Sequence, residues 1–271
     1  MTPAIITALY VPGDRPDRFD KAAASGAQVV ILDLEDAVAP EAKAAARAAV
    51  TSWLLAAPRG VDVQVRVDAR DDADLAAVGR VAAAGVAVGV RVAKVEAPAD
   101  LDRVAAAIPG LPVTALLETA RGIEAALSIG AHGAVVAMGI GEADLASDLG
   151  SSDDTVLDYA RTRLLYAARA NGLPAPMMSV YPAITDLDGL RRDTERGRHR
   201  GYVGRAAVHP SQLPVIASAF RPAEGELQWA RDVIAAMSSG GVTRLAGGEM
   251  VDPAMRRRAE AILALGEATS D

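Results

Sequence analysis

Short apolar runs recur along the 271-residue chain and alternate with alanine-rich segments that have helical spacing. Most runs are continuously apolar, which is typical of strands buried on both faces of a parallel sheet. Eight strands that alternate with helices predict an α/β protein whose sheet closes into a (β/α)8 TIM barrel. The predicted strands are IITALYV from Ile5, VVILDLE from Val29, DVQVRV from Asp62, VGVRVAKV from Val88, VTALLET from Val113, AVVAMGI from Ala134, PMMSVYP from Pro176 and GRAAVHP from Gly204.

The last part of the chain exceeds what a minimal barrel needs. The eight predicted strands lie within residues 1–210, and no linker rich in Gly, Ser or Pro divides that region. The helical stretches EGELQWARDVIAAM and DPAMRRRAEAILALGE follow them. We therefore predict a barrel over residues 1–210 and a C-terminal helical extension over residues 211–271, which we expect to pack on a neighbouring subunit of a homo-oligomer.

Composition excludes several classes of protein. The formal net charge of -7 argues against binding to nucleic acid or to an anionic membrane, since both require an excess of Lys and Arg. The absence of cysteine excludes disulfides and thiolate chemistry. The N-terminus lacks the basic region of a signal peptide, and no apolar stretch reaches the ~20 residues of a membrane span. We expect a cytoplasmic protein.

Polar and charged residues collect at the C-terminal ends of the predicted strands. The active site of a TIM barrel lies at that face, so a charged residue there indicates function more strongly than one elsewhere. In strand order these residues are Asp14 and Arg15; Asp33, Glu35 and Asp36; Arg66 and Asp68; Lys94 and Glu96; Glu118; Glu142 and Asp144; Tyr181; and His209.

Carboxylates that converge on one barrel mouth repel one another unless a cation lies between them. Because the chain has three histidines and no cysteine, this pattern favours a hard metal such as Mg2+ or Mn2+, bound by oxygen ligands and water. Glu118 and Asp144 are the best pair of ligands, because each follows an apolar run and the two runs are consecutive. Either residue alone is more often a salt-bridge partner or a helix cap.

Other charged residues at this end allow two interpretations. The acidic run Asp33, Glu35 and Asp36 either caps the next helix and pairs with nearby cations, or it lies beside the metal. The cations available for that pairing are Arg66 and Lys94. Lys94 forms a Schiff base only if it is buried and deprotonated, and pairing with a carboxylate is the simpler interpretation. The chain has no P-loop, G-x-S-x-G or HExxH motif.

Motifs along nearly the whole chain resemble those of the HpcH/HpaI aldolase and citrate lyase β-subunit-like family, in particular its stand-alone CitE-like members. The matching segments are YVPGDRPDRFDKA, VVILDLEDAV, VRVDAR, ALLETARGI, MGIGEADLASDLG, VHPSQLPVI and GGEMVDPAMRRRAE. The resemblance implies a barrel enzyme that binds Mg2+ and an acyl-CoA thioester or an oxo acid, assembled as a homotrimer or other homo-oligomer.

The resemblance also implies roles for individual residues. Glu118 and Asp144 correspond to the metal ligands, and Arg66 corresponds to a catalytic arginine that, with Glu118, contacts the substrate. Asp252 corresponds to an acid–base residue supplied by a neighbouring subunit, although its position before Pro253 predicts only a helix N-cap. Further residues lie beside the metal, namely Asp33, Glu35 and Asp36, or are candidate phosphate contacts for CoA, namely Arg15, Arg18 and Lys21.

The activity that follows from the resemblance is Mg2+-dependent carbon–carbon cleavage of a short 3-hydroxyacyl-CoA thioester such as citramalyl-CoA or malyl-CoA, releasing an oxo acid or acetyl-CoA. Two alternatives are the β-subunit of a multi-subunit citrate lyase and a metal-dependent pyruvate aldolase acting on a substrate without CoA. Three departures leave the substrate open: Asp68 replaces a common Asn, the fourth strand reads RVAKVE rather than ending in Pro-Lys, and the seventh continues as YPAITD.

Overall fold

Seven parallel strands form one curled sheet in the computed structural model, which describes residues 5–56, 60–237, 243–245, 250–251 and 253–269. The spatial order is β6-β5-β4-β3-β2-β1-β7, so strands that are consecutive in sequence are neighbours. The strands are β1 Thr7–Pro12, β2 Val29–Asp33, β3 Asp62–Asp68, β4 Gly89–Ala93, β5 Val113–Leu117, β6 Val135–Ile140 and β7 Arg205–Ala207. This parallel sheet confirms the α/β class.

Two isolated bridges join the edges of this sheet. Met177 pairs with Gly139 of β6, and Met178 pairs with Arg205 of β7, both in parallel orientation. The N–H of Met178 donates to the carbonyl of Gly204 at 2.9 Å. The segment around residue 177 therefore lies between β6 and β7, where a (β/α)8 arrangement places its seventh strand.

The prediction of a regular strand from Pro176 onward was wrong. Only Met177 and Met178 pair with neighbouring strands, for two reasons. Prolines at both ends of the segment have no N–H to donate, which limits the length of a ladder. In addition, the carbonyl of Ser179 accepts a hydrogen bond from Nε of Arg205 at 3.0 Å instead of from a neighbouring backbone.

Helices follow the strands and cover the outside of the sheet. The predicted helical segments correspond to real helices, several of which begin at acidic or hydroxyl N-caps such as Asp71, Thr119 and Asp153. The helices are α1 Phe19–Ala23, α2 Lys43–Ala56, α3 Asp72–Ala83, α4 Pro98–Ala107, α5 Ala120–Glu124, α6 Ala126–Gly130, α7 Glu142–Leu149, α8 Asp154–Ala170, α9 Leu187–His199, α10 Leu213–Phe220, α11 Glu224–Met237 and α12 Pro253–Ala268.

Each face of the sheet carries one apolar layer. The larger one fills the space between strands and helices, and it includes outward-facing residues of β3 such as Val65 and Val67. The smaller one, inside the curled sheet, contains Ala8, Val29, Ile31 and Ala206. Because the inner layer is so small, it leaves a cavity inside the curled sheet.

The C-terminal helices fall into two groups by packing. Leu213 and Ile216 of α10 belong to the larger apolar layer between the strands and the helices. Helices α11 and α12 pack mainly on each other and, with Val251, form a cluster of their own. A short antiparallel pair, β8 Thr243–Arg244 and β9 Met250–Val251, joins them. The predicted division of the chain after residue 210 stays a prediction. Among the described residues, no helix is both long and apolar enough to span a membrane.

Candidate active site

A cavity of about 720 Å3 opens at the C-terminal ends of the strands. Parallel strands bring their C-terminal ends to one edge, which explains why residues far apart in sequence meet there. Seven of the predicted site residues line the cavity: Arg15, Arg18, Lys21, Asp33, Arg66, Glu118 and Asp144. The two remaining members of the acidic run, Glu35 and Asp36, pair with Lys94.

Glu118 directly follows β5 and is 2% exposed. Its Oε2 accepts a hydrogen bond from the backbone N–H of Lys94 at 2.9 Å. The space for its carboxylate exists because residue 141 is glycine: a Cβ there would lie 2.6 Å from Cγ of Glu118. Burial raises the pKa of Glu118 to about 7, from a usual value of 4.5. The residue is held in place by its backbone neighbours, yet its charge is poorly compensated.

Asp144 lies in the first turn of α7, which begins immediately after β6. The positive end of the helix dipole favours a carboxylate at such a position. Asp144 lines the cavity near Glu118, and its charge contributes to the raised pKa of that residue. Of the described residues, none donates a hydrogen bond to the Asp144 carboxylate.

Arg66 of β3 forms two parallel hydrogen bonds with Asp33 of β2, Nε to Oδ1 at 2.7 Å and Nη2 to Oδ2 at 2.6 Å. The two residues are register partners in adjacent strands. Nη1 of Arg66 also lies 3.3 Å from Oε2 of Glu35, and the guanidinium stands over the ring of Tyr10 at 5.1 Å. Although burial opposes it, the bond with Asp33 raises the pKa of Arg66, which is therefore a fixed cation.

Lys94 has a φ of 51° and is the one non-glycine residue with positive φ in the described part of the chain. Its Nζ lies 2.5 Å from Oε1 of Glu35 and 3.1 Å from both carboxylate oxygens of Asp36. Although burial opposes it, these two carboxylates raise the pKa of Lys94. A lysine held in the charged state is a poor Schiff-base nucleophile, which confirms the simpler interpretation of this residue as an ion-pair partner.

The three predicted phosphate contacts lie together on the segment that follows β1. Arg15 is exposed and pairs with Asp17 at 3.0 Å, while Arg18 and Lys21 belong to the following helical turns. All three line the mouth of the same cavity. Their position suits an anionic group that lies outside the barrel while the rest of the ligand enters it.

Other residues at the rim have local structural roles. Glu142 pairs with Arg161 of α8 at 2.6 Å, and Tyr181 donates to Asp186 at 2.7 Å. The ring of His209 accepts from the N–H of Ser211, so it caps the turn that follows β7. Asp252, predicted as an acid–base residue, lies outside the described residues.

The sequence interpretation missed three residues that line the cavity, Tyr10, Arg91 and Gly141, and a contact of Arg91, Gln64. Tyr10 and Arg91 line the interior, and Gln64 accepts a hydrogen bond from Nε of Arg91 at 3.0 Å. The alternating burial along β3 carries a signal for one of them, because it places Gln64 and Arg66 on the same inward face. Gly141 was missed as well, and only the packing around Glu118 shows why a glycine is needed there.

The donor set at the cavity suits a hard divalent cation. Glu118 and Asp144 offer carboxylate oxygens that the described residues leave almost without hydrogen-bond donors. The described residues contain no group of three or more metal-ligating side chains. Two carboxylates and several waters are a common ligand set for Mg2+, which gives up its hydration shell reluctantly. The residues present therefore fit the ion that the sequence predicts.

Comparison with known proteins points to the same family that the sequence motifs resemble. The family model "HpcH/HpaI aldolase/citrate lyase" matches residues 7–210, and a model described as a C-C bond lyase of the TIM-barrel fold matches residues 154–269. A (3S)-malyl-CoA thioesterase of Cereibacter sphaeroides is 38% identical over 236 residues, which cover 84% of this chain and 81% of that protein. A citrate lyase subunit beta-like protein of Mycobacterium tuberculosis is 38% identical over 272 residues, covering 97% and 96%.

One similar solved structure is that of protein CitE from Mycobacterium tuberculosis in complex with magnesium, acetoacetate and coenzyme A. It matches with a TM-score of 0.81 and 36% identity, over 97% of this chain and 98% of that one. The match extends over the curled sheet and the cavity as well as the C-terminal helices. This chain belongs to the HpcH/HpaI aldolase/citrate lyase family and is a carbon–carbon lyase of the TIM-barrel fold.

Proposed function

We propose that this chain is a Mg2+-dependent lyase that cleaves a carbon–carbon bond of a short 3-hydroxyacyl-CoA thioester such as citramalyl-CoA or malyl-CoA. One observation carries the proposal. The Glu118 carboxylate accepts one hydrogen bond and the Asp144 carboxylate accepts none from the described residues, and both line one cavity together with the fixed cation Arg66. The names of the relatives, a malyl-CoA thioesterase and a structure with magnesium and coenzyme A, support this class of ligand.

Glu118 and Asp144 hold the metal in this proposal, and Asp33, Glu35 and Asp36 order the surroundings of the site. When bound, Mg2+ supplies Lewis-acid polarisation of the oxo-acid carbonyl. Arg66 binds the substrate carboxylate. A guanidinium has five N–H donors, of which two are engaged with Asp33, so donors on Nη1 and Nη2 remain for the substrate.

Asp33 has a positioning role in this scheme. Its two hydrogen bonds fix the plane of the Arg66 guanidinium before substrate arrives, so little side-chain entropy is lost on binding. The stacking on Tyr10 constrains the same plane from one side. Preorganised cations of this kind stabilise the negative charge that develops on the substrate during cleavage.

We assign proton transfer to Asp252 and phosphate binding to Arg15, Arg18 and Lys21. The acyl thioester would pass through the mouth of the cavity while its CoA phosphates stay at these cations. The separate packing of α11 and α12 supports a role in assembly, so we propose a homo-oligomer in which the extension contacts a neighbouring subunit and brings Asp252 to its cavity.

Replacement of Glu118 tests the metal assignment. In Glu118→Gln the shape is kept and the charge is lost, so cleavage of citramalyl-CoA or malyl-CoA with saturating Mg2+ should fall by at least 100-fold. Glu124→Gln, on the exposed end of α5, is the matched control and should retain full activity. Undiminished cleavage by Glu118→Gln would rule out the metal assignment.

Two other functions have a specific observation in their favour. The name citrate lyase subunit beta-like protein favours a subunit that needs an acyl-carrier partner, and the aldolase in the family description favours a pyruvate aldolase without CoA. Assay of the purified chain alone, with its mass from light scattering, distinguishes the proposed lyase from the first alternative, because a subunit that needs a partner would not turn over by itself. Thermal protection by CoA thioesters but not by free acids would favour the proposed lyase over the second alternative, the pyruvate aldolase.

A further inference from the structure

Glu142 and the predicted metal ligand Asp144 lie on opposite sides of the first turn of α7. An α-helix rotates by about 100° per residue, so side chains two positions apart point in roughly opposite directions. Asp144 faces the cavity, whereas Glu142 faces α8 and pairs there with Arg161. A contact on the outside of the barrel is therefore connected to the metal site through a single helical turn.

The contact between Glu142 and Arg161 consists of two parallel hydrogen bonds. Nε of Arg161 donates to Oε1 at 2.9 Å, and Nη2 donates to Oε2 at 2.6 Å. The third nitrogen, Nη1, donates to Asp154 at 3.0 Å and to Asp158 at 2.6 Å, both of which belong to α8 itself. Because its own helix fixes the Arg161 guanidinium, the plane of the Glu142 carboxylate is fixed as well.

The apolar packing of α7 does little to fix its rotation. Of the eight residues in this helix only Leu145 is buried, and apolar burial is non-directional. The backbone N–H of Glu142 donates to Oγ of Ser179 at 3.3 Å, which holds the start of the helix at one point. Since the Asp144 carboxylate accepts no hydrogen bond from the described residues, the rotation of the helix decides where that carboxylate points.

We propose that Arg161 is a positioning residue for the metal site, because its bonds with Glu142 set the rotation of α7 and thereby direct Asp144 toward the ion. The inference rests on the proposed function, in which Asp144 is one of the two protein ligands. Two carboxylates are few ligands for a divalent cation, so metal affinity depends strongly on how well each one is placed. Groups that support a ligand from behind typically contribute about 10- to 100-fold to metal affinity.

Titration of the metal-free chain with MnCl2 tests the inference without any turnover, because Mn2+ loses the EPR signal of the free ion when it binds. Mn2+ takes the same kind of oxygen ligands as Mg2+. Arg161→Met removes the guanidinium and should raise the Kd for Mn2+ by about 10- to 100-fold. In Glu142→Gln the shape is kept, but the amide has one acceptor oxygen instead of two, so the Kd should rise by about 5- to 10-fold.

The double variant Arg161→Met/Glu142→Gln distinguishes positioning from a general loss of stability. If Arg161 acts through Glu142, the double variant should bind Mn2+ as Arg161→Met does, since the two changes remove the same contact. Losses that added together would overturn the inference. Arg200→Met is the control, because Arg200 forms two hydrogen bonds of 2.6 Å with Asp158, a partner on α8 rather than on α7. This control should keep the Mn2+ affinity of the wild-type chain.

A folded Arg161→Met with wild-type Mn2+ affinity would overturn the inference. If that variant failed to fold, wild-type affinity in Glu142→Gln would overturn it in the same way. An equal loss of affinity in Arg200→Met would also do so, because it would indicate a general effect of broken ion pairs. If the wild-type chain bound no Mn2+, or if Asp144→Asn kept the wild-type affinity, the proposed metal ligands themselves would be contradicted.

Discussion

Gly141 and Glu118 are packed so closely that residue 141 must be glycine for the Glu118 carboxylate to keep its position. A Cβ at residue 141 would lie 2.7 Å from Cδ of Glu118, closer than any ordinary contact. Because Gly141 is also the N-cap of α7, the same strand-to-helix turn positions Asp144. One turn therefore positions both predicted metal ligands.

Gly141→Ala should weaken Mg2+ binding without unfolding the chain. The added methyl displaces Glu118, and changes that disturb the support of a ligand typically reduce metal affinity by about 10- to 100-fold. Calorimetric titration with MgCl2 measures the effect. Gly133→Ala is the matched control, because a Cβ at Gly133 meets no atom within 4 Å. Equal Mg2+ affinity in the two variants would show that Glu118 is not the ligand.

The stabilisation by Mg2+ should depend on pH through Glu118. Since its pKa in the metal-free fold is raised to about 7 from 4.5, ionisation costs folding free energy, so metal-free stability falls as pH rises through this window. Mg2+ binds the ionised form, so the Tm increase that it causes should grow from pH 5.5 to about pH 7.5 and then level off.

Thermal melts with and without 10 mM MgCl2 across pH 5.5–8.5 measure this dependence. Glu118→Gln serves as the reference, because it has no proton to release and its melts should show little response to Mg2+ at any pH. A Tm increase of constant size over the whole range would be inconsistent with proton–metal competition at Glu118.

At Lys94 we expect glycine to be more stable than alanine, the reverse of the usual order. Both substitutions remove the ion pairs with Glu35 and Asp36, but only Lys94→Gly relieves the left-handed backbone at φ 51°. That relief is worth about 1 kcal/mol. Chemical denaturation of the two variants gives the difference in unfolding free energy.

The same pair of substitutions at Arg80, inside α3, gives the comparison. There, alanine should be more stable than glycine by about 1 kcal/mol, because glycine is a poor residue in a helix interior. If Lys94→Ala proved as stable as Lys94→Gly, the positive φ at this position would carry no cost.

Much of the fold follows from local sequence pattern. Mainly apolar runs predicted seven strands close to their observed bounds, because burial on both faces of a parallel sheet leaves few polar positions inside a strand. Glu118 and Asp144 could be singled out for the same reason, since each is among the first charged residues after such a run. The irregular pairing of the segment from Pro176 could not be predicted, because the sequence gives no sign that Arg205 donates a hydrogen bond to the carbonyl of Ser179.

The side chains that meet inside the cavity are determined by the register of the paired strands, which a single sequence does not reveal. Arg66 meets Asp33 because the two are register partners, and Arg91 is in turn the partner of Arg66 in β4. A shift of one residue would turn Arg91 outward toward the helices. Its inward orientation became evident only when the pairing of β3 and β4 was known.

The strands of the barrel are paired most weakly at the two bridges formed by Met177 and Met178. Five residue pairs join β1 to β2, whereas single pairs hold this segment to β6 and to β7. Local opening needs the least free energy where the fewest backbone hydrogen bonds break. In hydrogen–deuterium exchange, amides of residues 177–181 should therefore lose protection before those of β1–β5. Because Ser179 and Val180 line the cavity, this local opening would occur in the wall that encloses a bound substrate.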